Sequence, residues 1–480
     1  MTPMDSEALE QSSSAKVGHD TQPPEALVAF MSRDWIERPL DRRAHPQLDR
    51  LRARREALSR AFPGMLLLLP AGCEQVRSND TFFRFRPSSE FSYFMGGGEA
   101  DTLLVFEPDG ARHRTRLFVP AHNRGTAAAF TDRQHGELWV GTHRGVDESR
   151  AYYGVDRCDP ISQIDGYLDD LRVQSPPMRL LRGVNAAIDA RFETSDADTE
   201  FATHLSEMRL CKDEYEIAEL RKAVEITKRG FEDVLAVLPT AQSEREIEAA
   251  FWRRARMEAN DVGYLTIAAA GEHACTLHWT RNDGGLRRGE LLLLDAGVEC
   301  DSLYTADVTR TLPIGGAFSP QQRAVYDLVF EAQRAGIEAC VPGNDFLEPN
   351  RRAMQVLAQG LIEMNVLRCS LDEALDQDRQ LYRRYTLHNV SHMLGLDVHD
   401  CARARAQAYR YGTLEAGMVL TVEPGLYFQP DDATVPQELR GIGVRIEDDV
   451  VVTNGAPDNL SAILPSSASA VEAWMREKAV

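Results

Sequence analysis

The chain has 480 residues, 43% hydrophobic and 27% charged, with a net charge of -20 from 74 acidic and 54 basic side chains. That length fits two or three domains with a large core, and the balance is that of an ordinary soluble globular protein. So acidic a surface repels phosphate backbones, which argues against nucleic acid as a partner, and no apolar run approaches the length of a membrane span.

The stretch MTPMDSEALEQSSSAKVGHDTQPP is polar, lacks the apolar core of a secretory signal and reads as part of a disordered tail over residues 1–34. Order is expected from Trp35. LDRLRARREALSRAFPG has helical spacing and stops at Pro63-Gly64. Strand-like runs follow at MLLLL from Met65, DTLLVFE from Asp101 and RLFVP from Arg116, with a helical segment, ISQIDGYLDDLR, from Ile161. These alternations predict a mixed α/β domain over 35–194. Within it, Gly96–Gly98 lack the lysine and threonine pattern of a phosphate loop and read as a turn. Residues 195–212 are polar and read as a linker.

A second domain is expected over 213–480. Its first helix, in KDEYEIAELRKAVEITKRGF, carries a capping box of Asp213 and Glu216, and its apolar face holds Ile217, Leu220, Val224 and Phe231. SEREIEAAFWRRARM repeats the device with Ser243 and Glu246, and SPQQRAVYDLVFEAQ is capped by Ser319 with Pro320 in the first helical position. Strands are expected within 290–298, 304–312, 417–423 and 443–453. The eight cysteines are scattered without a CxxC pair, which points to reduced thiols in a cytoplasmic protein and away from disulfides or a zinc knuckle.

Chemistry concentrates where carboxylates interrupt apolar strands. ELLLLDAGV ends in Asp295, and YTADVTRTLP carries Asp307 twelve residues later, so a hairpin could place the two side by side. Adjacent carboxylates repel unless a cation neutralises them. GMVLTVEPGLY ends in Glu423, and GIGVRIEDDVVVT holds Glu447 in a strand. HNVSHMLGLDVHD spaces His388 and His392 four apart, on one face if helical, with His399 beyond. Four carboxylates and an imidazole suit Mn²⁺, Co²⁺, Zn²⁺ or Fe²⁺, and two ions can share bridging carboxylates.

These motifs, in this order, resemble the aminopeptidase P group of the pita-bread metallopeptidases, which also include prolidase and methionine aminopeptidase. AAGEHACTLHWTRND fits the same pattern around His278, and RPSSEFSYFMGGGEADTLLVF resembles the group's N-terminal domain. The resemblance runs from about Trp35 to near the C-terminus. It implies an α/β (α+β) architecture: an N-terminal creatinase/aminopeptidase P-like mixed α/β domain, then a C-terminal pita-bread catalytic domain.

It implies an enzyme that hydrolyses the N-terminal Xaa-Pro bond of proline-containing peptides with a metal-bridging hydroxide and two divalent ions per chain, Mn²⁺ before Zn²⁺ or Co²⁺. Asp295 would chelate one ion, Asp307 and Glu447 would bridge, and His392 and Glu423 would bind the second. His278, His388 and His399 would contact peptide or shuttle protons, Glu423 would relay a proton, and Tyr427 and Arg445 would line the substrate pocket or stand just behind the residues that do. Prolidase activity on dipeptides is the nearest rival, and a non-catalytic peptide-binding module on the same fold is a rival of another class.

In this group most members space the two aspartates by eleven, so the extra residue is expected in a longer turn around Cys300–Ser302. Ser92 stands where some relatives carry an intersubunit tryptophan, which favours a homodimer over a tetramer. The acidic FQPDDATVPQELRG is expected to border the mouth of the site and to disfavour a free substrate carboxylate.

Overall fold

The computed structural model describes residues 23–36 and 38–478. The chain forms two compact units, the first ending at Asp198 and the second beginning at Thr199. Residues 1–22 of the expected tail lie outside the described residues. The remainder of that tail is not irregular: Glu25–Met31 is a helix.

The first unit is built on a five-stranded sheet. Arg157–Pro160, Arg112–Val119, Leu103–Asp109, Leu66–Pro70 and Met178–Leu180 lie side by side in that order, with only Leu103–Asp109 running against the rest. Leu66–Pro70 is buried along its whole length, as an unbroken apolar run in a central strand requires. The helix Leu48–Ala61 ends as its Pro-Gly signal predicts. The helix Ser89–Met95 closes on Gly96, whose φ of 72° is the left-handed geometry glycine supplies at a helix end. Ser92 is buried in that helix.

The expected linker is helical over Asp196–Glu207. Phe201, Ala202 and Leu205 are buried, a short apolar stripe at helical spacing within a polar composition.

In the second unit the helix Glu214–Val237 has the full capping box of Asp213 and Glu216, and Pro320–Glu338 has one of Ser319 and Gln322. Ser243 caps Glu244–Glu258 by position only: its hydroxyl donates to Glu246 Oε1 instead of accepting from the helix. Leu291–Asp295 is the centre of an antiparallel sheet, between Ile267–Ala270 and Thr309–Pro313. Val419–Val422 pairs with Asp448–Val451, and Gly425–Tyr427 with Gly443–Arg445.

Among the described residues no helix is long and apolar enough to cross a membrane, and the eight cysteines are free.

Candidate active site

The two aspartates are set by one hairpin. Asp295 pairs with Thr309, the Ala296 N–H donates to Val308 O, and the Ala306 N–H donates to Val298 O, a register that continues unbroken to Cys300 and Tyr304. The loop is therefore Asp301, Ser302 and Leu303, with Leu303 at φ 69°, the left-handed position that closes three-residue hairpin loops. With the pairing unbroken on both sides of this loop, Asp307 lies on the same face as Asp295. Opposite Asp307 stands Gly297, where an added Cβ would lie 1.6 Å from the Ala306 carbonyl oxygen; only glycine fits.

Both aspartates meet one hydroxyl. Tyr264 Oη lies 2.6 Å from Asp295 Oδ1 and also contacts Asp307 Oδ1. No spacing in the sequence singles out Tyr264, which arrives from a different segment. Asp449, another residue without a sequence signal, accepts from the Asp307 N–H at 3.1 Å.

The histidine segment is not a helix. The His392 N–H donates to Thr421 Oγ1, the Thr421 N–H to His392 O, the Glu423 N–H to Val390 O and the Leu394 N–H to Val419 O. Residues 390–394 thus run extended beside Val419–Val422. His388 lies at a bend before this pairing begins, and its ring reaches the same cavity as that of His392. Glu423 directly follows its strand, and Glu447 occupies the break between Gly443–Arg445 and Asp448–Val451 rather than the inside of a strand.

Asp295, Asp307, His392, Glu423 and Glu447 all line a cavity of about 550 Å³, together with His278, His388, His399 and Arg445. Asp307, His392 and Glu447 each present a ligand atom within 4.8 Å of the other two. His392 donates its Nδ1–H to Met393 O, which turns Nε2 towards Asp307 Oδ2 at 3.3 Å and Glu423 Oε1 at 3.6 Å. Tyr427 does not reach the wall. It stands behind His388, donating to Nε2 at 2.8 Å while Arg445 Nη1–H donates to its oxygen at 3.1 Å. Arg445 also donates to Asp295 Oδ2 at 2.5 Å and to Thr309 Oγ1 at 3.1 Å, and Thr309 donates onward to Glu447 Oε2 at 2.6 Å. None of FQPDDATVPQELRG lines the cavity; Asp432 is taken up by a two-pronged pair with Arg384.

Crowded, buried carboxylates hold protons tightly. Burial pushes Asp295 up, and the Asp307 charge adds to it against the pull of Arg445. Burial pushes Glu423 up to about 7 and Glu447 well above the carboxylate range, the latter reinforced by Asp307, Glu423 and Asp295. Burial alone would lower His392, but the hydrogen bond to Asp307 and the charges of Glu423 and Asp307 raise it to about 9. Burial, with Arg445 nearby, drives His388 down to about 3, so it is neutral.

Four carboxylates thus face Arg445 and His392, a surplus of negative charge that one or two divalent cations would neutralise. The donors are oxygens and an imidazole, with no thiolate on the wall, a set that fits hard or borderline divalent ions. Fold and donor set together define a metal-dependent hydrolase of the peptidase kind.

The pattern of metallopeptidase family M24 matches residues 218–454, and that of the aminopeptidase P N-terminal domain matches residues 51–177. Xaa-Pro aminopeptidase 1 of Streptomyces coelicolor is 49% identical over 456 residues, 94% of this chain and 91% of that one. The Xaa-Pro aminopeptidase of Escherichia coli is 35% identical over 451 residues, covering 88% of this chain and 96% of its own. The solved structure of E. coli aminopeptidase P with the inhibitor Pro-Leu superposes with a TM-score of 0.79 at 32% identity, covering 91% of this chain and 99% of that one. The chain belongs to the aminopeptidase P family.

Proposed function

We propose that this enzyme removes the first residue of peptides whose second residue is proline, with two divalent cations, manganese foremost, held by Asp295, Asp307, His392, Glu423 and Glu447. The observation that carries the reading is the convergence of those five side chains, from separate stretches of chain, on one cavity roomy enough for a peptide end. Two ions suit the donor set better than one, because four carboxylates exceed what a single ion needs and carboxylates can bridge.

Ions held by those five side chains would supply Lewis acidity, which favours hydroxide near neutral pH and polarises a carbonyl. The chain's own groups then have distinct tasks. Glu423, on the cavity wall 3.6 Å from His392 Nε2, would take a proton and return it to the leaving nitrogen. Neutral His388, fixed by Tyr427 and by its Nδ1–H bond to the Asn389 carbonyl oxygen at 3.0 Å, offers a polar contact to the peptide without a repelling charge. Arg445 holds one oxygen of Asp295, which leaves that carboxylate oriented for the cavity. His278 and His399 line the wall and would contact peptide there. A proline after the scissile bond leaves a nitrogen without a proton, which general peptidases handle poorly and a dedicated pocket can accept.

The test compares kcat/KM for Xaa-Pro, Xaa-Pro-Yaa, a pentapeptide and an Xaa-Ala-Yaa control with one metal loaded. Cleavage fastest on the tripeptide and longer chains, with the alanine peptide poor, is expected. A clear preference for the dipeptide would make the enzyme a prolidase.

A further inference from the structure

His278 stands on the cavity wall with a largely exposed side chain, and among the described residues no hydrogen bond or ion pair reaches its ring. Its position is therefore inherited from its backbone. That backbone belongs to the long loop between the strands Ile267–Ala270 and Leu291–Asp295. The next residue, Trp279, is buried, and its indole is gripped.

The grip is Glu244, in the first turn of the helix Glu244–Glu258 and wholly buried. One carboxylate oxygen accepts from the Ala270 N–H and from His273 Nδ1–H, both at 2.8 Å. The other accepts from Trp279 Nε1–H at 2.8 Å and from the Gly284 N–H at 2.7 Å. The four donors lie on Ala270, where the loop begins, and on His273, Trp279 and Gly284 along it. His273 also stacks on Trp279, ring centres 3.8 Å apart. Backbone pairing between Glu244 N–H and Gly284 O, and between Leu286 N–H and Gln242 O, ties the loop's exit to the same helix end. A fully buried carboxylate that collects four donors is satisfied and rigid.

We propose that Glu244 is the positioning residue for His278: by holding Trp279 and the loop on either side of it, at Ala270, His273 and Gly284, it sets where the adjacent imidazole stands in the cavity. This rests on the reading above in which His278 contacts the peptide. Glu244 touches neither the cavity nor the metal donors, and acts only through the loop.

The experiment is a double-mutant cycle on the metal-loaded enzyme with an Xaa-Pro-Yaa tripeptide: wild type, Glu244→Gln, His278→Ala and the double variant, each with kcat, KM and metal content. A carboxamide accepts through one oxygen only, so Gln cannot satisfy four N–H donors and must release part of the loop. Glu244→Gln should lower kcat/KM at least about tenfold, the scale of a misplaced catalytic contact, mainly in kcat and with metal content unchanged. In the His278→Ala background the same change should cost less than about twofold, because residues acting as a unit are non-additive.

Trp279→Phe keeps the packed ring and removes one donor. It should lower kcat/KM roughly threefold with His278 present and leave it unchanged without, and it carries the test if Glu244→Gln does not fold. Equal losses in both backgrounds would overturn the role of Glu244 while leaving that of His278 intact. A His278→Ala enzyme with wild-type kcat/KM would remove the role of His278, and this proposal with it.

Discussion

Arg310 is the largest fully buried side chain described, and replacing it by methionine tests how the site's floor is held. Its Nε–H donates to Pro465 O at 2.8 Å, Nη1 to Thr309 O at 2.9 Å and Glu447 O at 2.7 Å, and Nη2 to Leu464 O at 3.0 Å and Asp448 Oδ1 at 2.7 Å. Methionine keeps the apolar stem and removes every donor. Asp448 Oδ2 would still receive Gln333 at 3.1 Å and Asn459 at 2.9 Å, but Oδ1 would lose Arg310 and remain as buried charge. Breaking a buried pair from one side costs about 3–5 kcal/mol. In a domain of this size each kcal/mol is worth about 2–4 °C, so Tm should fall by roughly 6–20 °C. Differential scanning calorimetry of the metal-free protein at neutral pH reads this without interference from metal loss. Adding Asp448→Asn removes the stranded charge and should restore part of the drop. A single variant melting within about 2 °C of wild type, or a double variant no better than the single, would refute the reasoning.

Tyr264→Phe takes away one hydroxyl proton shared by Asp295 and Asp307, so the loss counts as a single charged hydrogen bond; metal affinity by calorimetric titration should fall about 10–100-fold, the range for an outer partner of a ligand. His388→Ala should retain metal in elemental analysis and lower kcat/KM by about 10²–10⁴, and metal loss there would show that His388 is a ligand. Metal binding should release protons near pH 7, because Glu423 sits at about 7 and His392 at about 9 before the ion arrives and both must be proton-free to ligate. The sign follows: affinity rises with pH through that window, and titrations in buffers of different ionisation enthalpy should give different apparent heats; identical heats would contradict it.

Much of the site was legible because carboxylates in apolar strands are conspicuous: Asp295 ends a run of leucines, and Glu423 ends another apolar run. His388 and His392 do meet on one cavity wall, but through a bend in the chain and not through one face of a helix, and no periodicity records such a bend. Asp196–Glu207 was hidden because its polar residues outnumber the few, Phe201 and Leu205 among them, that bury it. Tyr264, Asp449 and Glu244 had no local signature at all. Each matters through a partner far along the chain, and no periodicity records which segments the fold will bring together.

The donors also differ in how far apart they begin. Asp295 and Asp307 share a hairpin closed by a three-residue loop, whereas Glu423 and Glu447 join them only across the intervening helices Pro320–Glu338 and Glu348–Glu363. Closing a short loop costs little entropy, and long-range contacts are formed slowly. The entropic cost of bringing the donors together is therefore uneven: small for the two aspartates of the hairpin, larger for Glu423 and Glu447, whose contacts close more than a hundred residues of chain.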